Sequence, residues 1–228
     1  MKIRFRCLPG LEDILPPPVP GSRALPGWLR SMKMETDDGI FGADRTVKQC
    51  PPFIDAMVHG FVICLPCDIT VSAGRFSWDW PHSESPLAFH LASQVAGTPL
   101  DIENVSVLKF INFWAIETDP GVSVLFVHPV NRPDLPFRTL SGMVDTDGFR
   151  ELPVHFPAQW VDPAFEGVLE KGTPVAQGIP VYRERLELDF GAFPSGEVGK
   201  LPALKREIAA TPGYYRTRFR GGRDDADG

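Results

Sequence analysis

Apolar, β-branched and aromatic residues crowd positions 107–118 (VLKFINFWAIET) and again 122–127, parted by Asp119, Pro120 and Gly121. Two such runs around a turn triplet predict a hairpin. A second hairpin is expected across Glu170, Lys171 and Gly172, between strands at 166–169 and 174–182. Residues 61–71 (FVICLPCDITV) read as a buried strand bent near Pro66, because proline has no N–H to give a ladder. Phe76, Trp78 and Trp80 alternate with Ser77 and Asp79, the period of a half-buried strand. Further strands are expected at 28–34, 138–144 and 152–156, while 87–96 fits a strand or a helix equally well.

Two stretches carry helical signals instead. Cys50 precedes two prolines suited to a first turn, Phe53, Ala56 and Met57 recur at helical spacing, and Gly60 supplies a stop, which predicts a short helix near 51–59. Residues 201–211 (LPALKREIAAT) have the composition of a C-terminal helix, with a loop at 188–200 before it. Many short strands with no βαβ alternation predict a mainly β fold, an antiparallel β-sandwich or jelly roll. The expected organisation is a proline-rich N-terminal arm at 1–27, extended or irregular, followed by a single sandwich domain over 28–228 with a helical tail.

Composition sharpens this picture in a few places. The 24 prolines among 228 residues favour short strands joined by stiff loops. A net charge of −6 gives no general footprint for nucleic acid, whose phosphates call for excess Lys and Arg, so no nucleic-acid partner is expected. The basic cluster Arg206, Arg216, Arg218, Arg220 and Arg223 is a local exception, followed at once by Asp224, Asp225 and Asp227. No apolar run is long enough to span a bilayer and the first ten residues lack an apolar signal core, so a cytoplasmic, membrane-free protein is expected. There Cys7, Cys50, Cys64 and Cys67 would be reduced thiols.

Four blocks together resemble a family of uncharacterised bacterial and phage proteins: TVKQCPPFIDAMVHGF with LPCDI (46–69), FVHPVNRPDLPF (126–137), GMVDTDGF (142–149) and GVLEKGTPVAQGIP (167–180). The family is a domain of unknown function. The resemblance therefore implies a shared fold and assigns no catalytic residue.

Candidate chemistry is incomplete at every motif. Jelly-roll metal sites of the cupin type use two histidines alternating on one strand, and no HxH occurs here. A site for iron, manganese or zinc drawn from several strands would combine His90, His128 and His155 with Asp145 or Asp147. The Asp145, Thr146, Asp147 run also fits a strand entering an Asp-Gly turn. Cys64 and Cys67 form a single CxxC without a second pair, which favours structural thiols. A pocket for a small molecule would use Trp78, Trp80 and Trp114 as apolar lining, with Lys109, Asn112, Asn131, Arg132 and Gln177 as polar handles. Strand alternation would set Phe110, Asn112 and Trp114 on one face, opposite Lys109, Ile111 and Phe113. Three functions follow in order: a small-molecule-binding jelly-roll domain whose enzymatic status is open, a non-catalytic interaction or structural protein, and a metal-dependent enzyme. Homo-oligomers fit any of them.

Overall fold

The computed structural model describes residues 1–36, 45–101, 107–211 and 213–220. The chain is mainly β, built from short antiparallel strands around a main apolar core with a smaller cluster beside it. In chain order the strands are β1 (Ile3–Arg6), β2 (Val19–Pro20), β3 (Phe61–Cys64), β4 (Ile69–Ser72), β5 (Arg75–Trp78), β6 (Leu87–Phe89), β7 (Val107–Phe110) and β8 (Ala115–Thr118). They continue as β9 (Val122–Val127), β10 (Phe137–Thr139), β11 (Gly142–Val144), β12 (Phe156–Trp160), β13 (Gly167–Leu169) and β14 (Pro174–Tyr182). The helices are α1 (Gly27–Ser31), α2 (Pro51–Val58), α3 (Ser195–Val198), α4 (Leu201–Ala210) and α5 (Tyr214–Arg218).

A five-stranded sheet of order β11-β9-β14-β3-β2 faces a four-stranded sheet of order β10-β12-β7-β6. Smaller sheets, β13-β4-β5 and β1-β8, add Ile69, Val71, Leu169 and Ile116 to the same core. Phe61, Ile63, Phe126 and Val175 from the first sheet meet Leu108, Phe110, Phe137, Phe156 and Trp160 from the second. The rings interlock edge to face, as with Phe110 and Phe137 at 4.6 Å between centroids and Phe76 and Trp160 at 4.9 Å. Alternation sets this face: in β12, Phe156, Ala158 and Trp160 point inward while Pro157 and Gln159 are half-buried. Gly178 lies against the Phe61 ring, and a Cβ there would come within 2.3 Å of it.

Strands β3 and β4 run opposite β14 and β13 as one bent ribbon, passing from one sheet to the next. Leu65 holds the bend by donating its N–H to Thr173 O (2.8 Å) and accepting from Gly172 N–H (3.0 Å). The expected interruption at Pro66 is this sheet change. Strands β10 and β11 likewise divide the expected 138–144 strand between the two large sheets.

Several expectations are corrected. Neither expected hairpin is a ladder: β8 pairs with β1 while β9 pairs with β14 and β11, and β13 and β14 also join different sheets. The turn at Asp119 to Gly121 does form, with Val122 N–H on Asp119 O (3.2 Å), but Thr118 Oγ1 bonds Val122 O and buried Thr146 Oγ1 instead of extending a two-strand ribbon. A turn sequence reverses the chain; the partner of each strand is chosen by which apolar face it must bury. Residues 28–34 open with the helix α1, not a strand, started directly after Pro26. The 152–156 strand forms later, at Phe156–Trp160. The ambiguous 87–96 stretch is a strand, Leu87–Phe89, followed by a 3-10 turn at Ala92–Gln94.

The helices expected near 51–59 and 201–211 are both present, at Pro51–Val58 and Leu201–Ala210. Residues 1–27 add strands to two sheets, bury Leu11 and Leu15, and lay Pro16 O on the Trp114 indole N–H (3.1 Å). No helix among the described residues is long and apolar enough to cross a membrane.

Candidate functional site

The side chains expected to line a pocket are distributed over the body and tied into it. Trp78 packs at the rim of the main core. Trp80 and Trp114 belong to a second apolar cluster with Leu11, Leu15, Ile111 and Phe113. Trp80 donates to Glu84 O (3.0 Å). The expected alternation fails after β7, because Phe110 enters the main core while Ile111, Phe113 and Trp114 all join the second cluster. Asn112 causes the break: its amide donates to Trp114 O (2.8 Å) and Val154 O (3.1 Å), and its Oδ1 accepts Trp114 N–H (3.0 Å). It is a buried backbone substitute, with no group turned to a ligand. Lys109 is half-buried on β7.

Asn131, Arg132 and Gln177 do come together, beside the C-terminal end of α2. Gln177 is buried and donates to Ala56 O (2.9 Å) and His59 O (2.7 Å), while its Oε1 accepts Val130 N–H (3.0 Å). Helix α2 thus ends on a side chain from β14, satisfying carbonyls that a helix terminus leaves open. Asn131, at φ +57°, makes a long contact with Phe53 O (3.5 Å), and Arg132 is clamped on Asp134 through Nε and Nη2. A shallow groove of about 350 Å³ passes Arg132, Cys64 and the proline-rich stretch 16–26.

The histidines and aspartates of the expected metal set are likewise committed separately. Thr139 N–H donates to His128 Nδ1 (3.3 Å), so Nε2 carries the proton and meets Arg132 O (3.0 Å). Asn112 N–H donates to His155 Nδ1 (3.3 Å). His90 Nδ1 lies 3.0 Å from Gln94 Oε1, and its buried Nε2 has no partner. Burial lowers the pKa of His128 and of His155, because the charged imidazolium is poorly solvated there. Asp145 and Asp147 stand at a different place, on Arg183. Among the described residues no three His, Cys, Asp or Glu side chains are grouped to hold a metal ion.

The cysteines are free thiols. Burial pushes both Cys64 and Cys67 up to about 11, which keeps them protonated at neutral pH.

Two features at the C-terminal end were not among the expected site residues. The first is the segment after β14. Arg183 is its last anchored residue: its N–H donates to Gly121 O (3.0 Å), and its guanidinium grips Asp147 and reaches Ser123 Oγ (3.1 Å) and Asp145. Beyond it, residues 184–194 have no regular structure and lie in the open. Leu186, Leu188 and Phe190 are 80%, 70% and 87% exposed, with Glu187 and Asp189 between them. No described residue from 183 to 220 is buried. The period-two signal of a half-buried strand is present in LELDF, close behind the expected strand 174–182.

The second is a groove of about 470 Å³ between α2 and the C-terminal helices. Its described lining includes Arg45, Lys48, Arg216 and Arg220 and the carboxylate of Asp55, with Met34, Ile54, Ile208 and Tyr215 as apolar surface. Arg220 Nη2 bonds Asp55 Oδ1 (2.9 Å), and its buried Nε has no acceptor. Lys48 Nζ donates to Arg30 O (2.8 Å) and Met32 O (3.0 Å). Of the basic cluster read from the sequence, Arg216 and Arg220 reach this groove; Arg223 and the aspartates after it lie outside the described residues. No family model, curated protein or solved structure matches the chain.

Proposed function

We propose that this chain is a non-catalytic interaction or structural protein: a β-sandwich body that presents an apolar, extended arm, residues 184–194, to a partner. One observation carries this reading. Leu186, Leu188 and Phe190 recur at every second position of a segment outside the sheets, and at 70–87% exposure they form one short run of exposed large apolar side chains, while the sandwich core is filled from the strands without them. Contiguous exposed apolar surface marks an interaction site, since leaving it in water costs roughly 1.5–3 kcal/mol for each large side chain. The ion cluster at Arg183 supports it as well, because it fixes the point where the arm leaves the body. A small-molecule pocket in the sheets has less support: its polar handles Asn112 and Gln177 are engaged by backbone groups. Kinship with the uncharacterised bacterial and phage proteins is compatible with such a role. Free thiols fit a cytoplasmic setting.

The test is the stability of the body when the arm is made polar. In a Leu186→Ser, Leu188→Ser, Phe190→Ser variant, the melting temperature measured at a dilution where parent and variant are both monomeric should stay within about 2 °C of the parent's, as expected where no contact within the chain is lost. A drop of 5 °C or more would place the arm against its own body and overturn the reading.

A further inference from the structure

We infer that the arm's receptor is the cationic groove of a second copy of this chain, with residues 186–190 lying along α2 and α5 of that copy; this rests on the reading of the arm as an interaction element. Charge is the first reason. Between Glu184 and Phe190 the arm carries Glu184, Glu187 and Asp189 against Arg185 alone, whereas the described lining of the groove sets Lys48, Arg216 and Arg220 against the Asp55 carboxylate, with Lys48 engaged only by backbone carbonyls that leave its charge in place. Opposite net charge on two surfaces of one chain is the self-complementarity that a homo-oligomer needs.

The groove also shows an unmet hydrogen bond. Arg220 Nε is buried without an acceptor, while its Nη2 donates to Asp55 Oδ1. A carboxylate from Glu187 or Asp189 supplies the missing acceptor, and a charge-assisted bond of this kind is stronger than a neutral one. Between the cations, Met34, Ile54, Ile208 and Tyr215 offer apolar surface to the leucines and the phenyl ring. An extended strand sends alternate side chains to opposite sides, so LELDF can meet both chemistries at once.

Area favours exchange between copies. Leu186, Leu188 and Phe190, at roughly 150 Å² each, amount to about 450 Å² per arm. With the matching receptor surface, one seated arm buries about 900 Å², below what a specific interface needs, whereas reciprocal exchange of two arms buries about 1,800 Å², within the standard size. An arm seated in its own groove would have to double back, because α4 and α5, which wall that groove, follow it after only the short stretch 191–200.

Analytical ultracentrifugation of the full chain from low to high micromolar concentration tests this, together with charge reversal. The parent should sediment as a dimer or larger species. Arg216→Glu and Glu187→Arg should each weaken association at least about tenfold, and the double variant should recover part of the loss. A labelled peptide of residues 184–194 should bind the arm-polar triple variant, whose groove is intact, and lose affinity to the same extent when Arg216→Glu is added. A parent that stays monomeric, or an association indifferent to both reversals, would overturn the inference. So would a groove that binds an oligonucleotide through Arg216 while ignoring the peptide. An unchanged melting temperature in the triple variant alongside a monomeric parent would leave the arm as an interaction element and remove only this receptor.

Discussion

The guanidinium of Arg183 lies across the carboxylate of Asp147, with Nη1 2.8 Å from Oδ1 and Nη2 on Oδ2. Asp147 also accepts Gly121 N–H (2.9 Å), so the turn between β8 and β9, the turn after β11 and the end of β14 are fastened at one point. The Arg183 hydrogen bonds hold the Asp147 carboxyl far below the usual carboxylate range, followed in effect by the Gly121 N–H. A depressed folded pKa contributes stability that is present above the ordinary value of about 3.9 and is lost as pH falls toward the folded value. Asp147→Asn should therefore raise hydrogen exchange across residues 180–185 at pH 7, with residues 61–64 unchanged. In thermal melts, the difference between parent and Asp147→Asn should shrink as pH drops from about 5 to 3.

Gln177 joins β14 to the end of α2 and to the loop after β9 through three buried hydrogen bonds. Gln177→Leu keeps the volume but strands Val130 N–H and the carbonyls of Ala56 and His59. The expected loss is about 2–4 kcal/mol, since each buried group left unpaired costs about 1–3 kcal/mol before local relaxation. Urea denaturation at neutral pH measures it, and a loss below about 0.5 kcal/mol would contradict the role assigned to this side chain.

His128 should make the fold sensitive to mild acid. Burial lowers its folded pKa, so the unfolded chain binds the extra proton first. Stability is then full above the unfolded value of about 6.5 and falls as pH drops through the folded value. His155 adds to the same trend, for the same reason of burial. His128→Gln, which cannot charge, should flatten part of the decline in melting temperature between about pH 7 and 5. An unaltered slope would mean that the imidazole is better solvated than its two hydrogen bonds indicate.

The thiols should react in two classes. Cys50 is exposed, whereas Cys64 and Cys67, raised to about 11 by burial, present almost no thiolate at pH 8. Brief alkylation followed by peptide mass spectrometry should modify Cys50 in the native protein, and Cys64 and Cys67 only after denaturant is added.

The local devices of this fold are visible residue by residue. Cys50 with Pro51 and Pro52 announces α2, Pro66 the bend of the β3–β4 ribbon, and Asp119 to Gly121 a reversal of the chain. Each acts through covalent geometry within a few positions: a fixed proline φ, an absent N–H, a glycine at φ +80°. Trp28 to Ser31 went the other way because a single helical turn leaves too short a period to separate from a strand.

Sequence alone thus determined the mainly β class, the positions of most strands and turns, and the two main helices, since alternation and turn chemistry are local properties. Tertiary structure decided which strands pair. It placed β8 and β9 in different sheets, gave Asn112 and Gln177 to backbone partners, and gathered Asp145 and Asp147 on Arg183. Those outcomes depend on which apolar faces can be buried together and which buried polar groups must then be satisfied, a condition on the whole chain. The arm shows the difference most directly: LELDF has the pattern of a strand, and only the completed core reveals that no place within the body receives it.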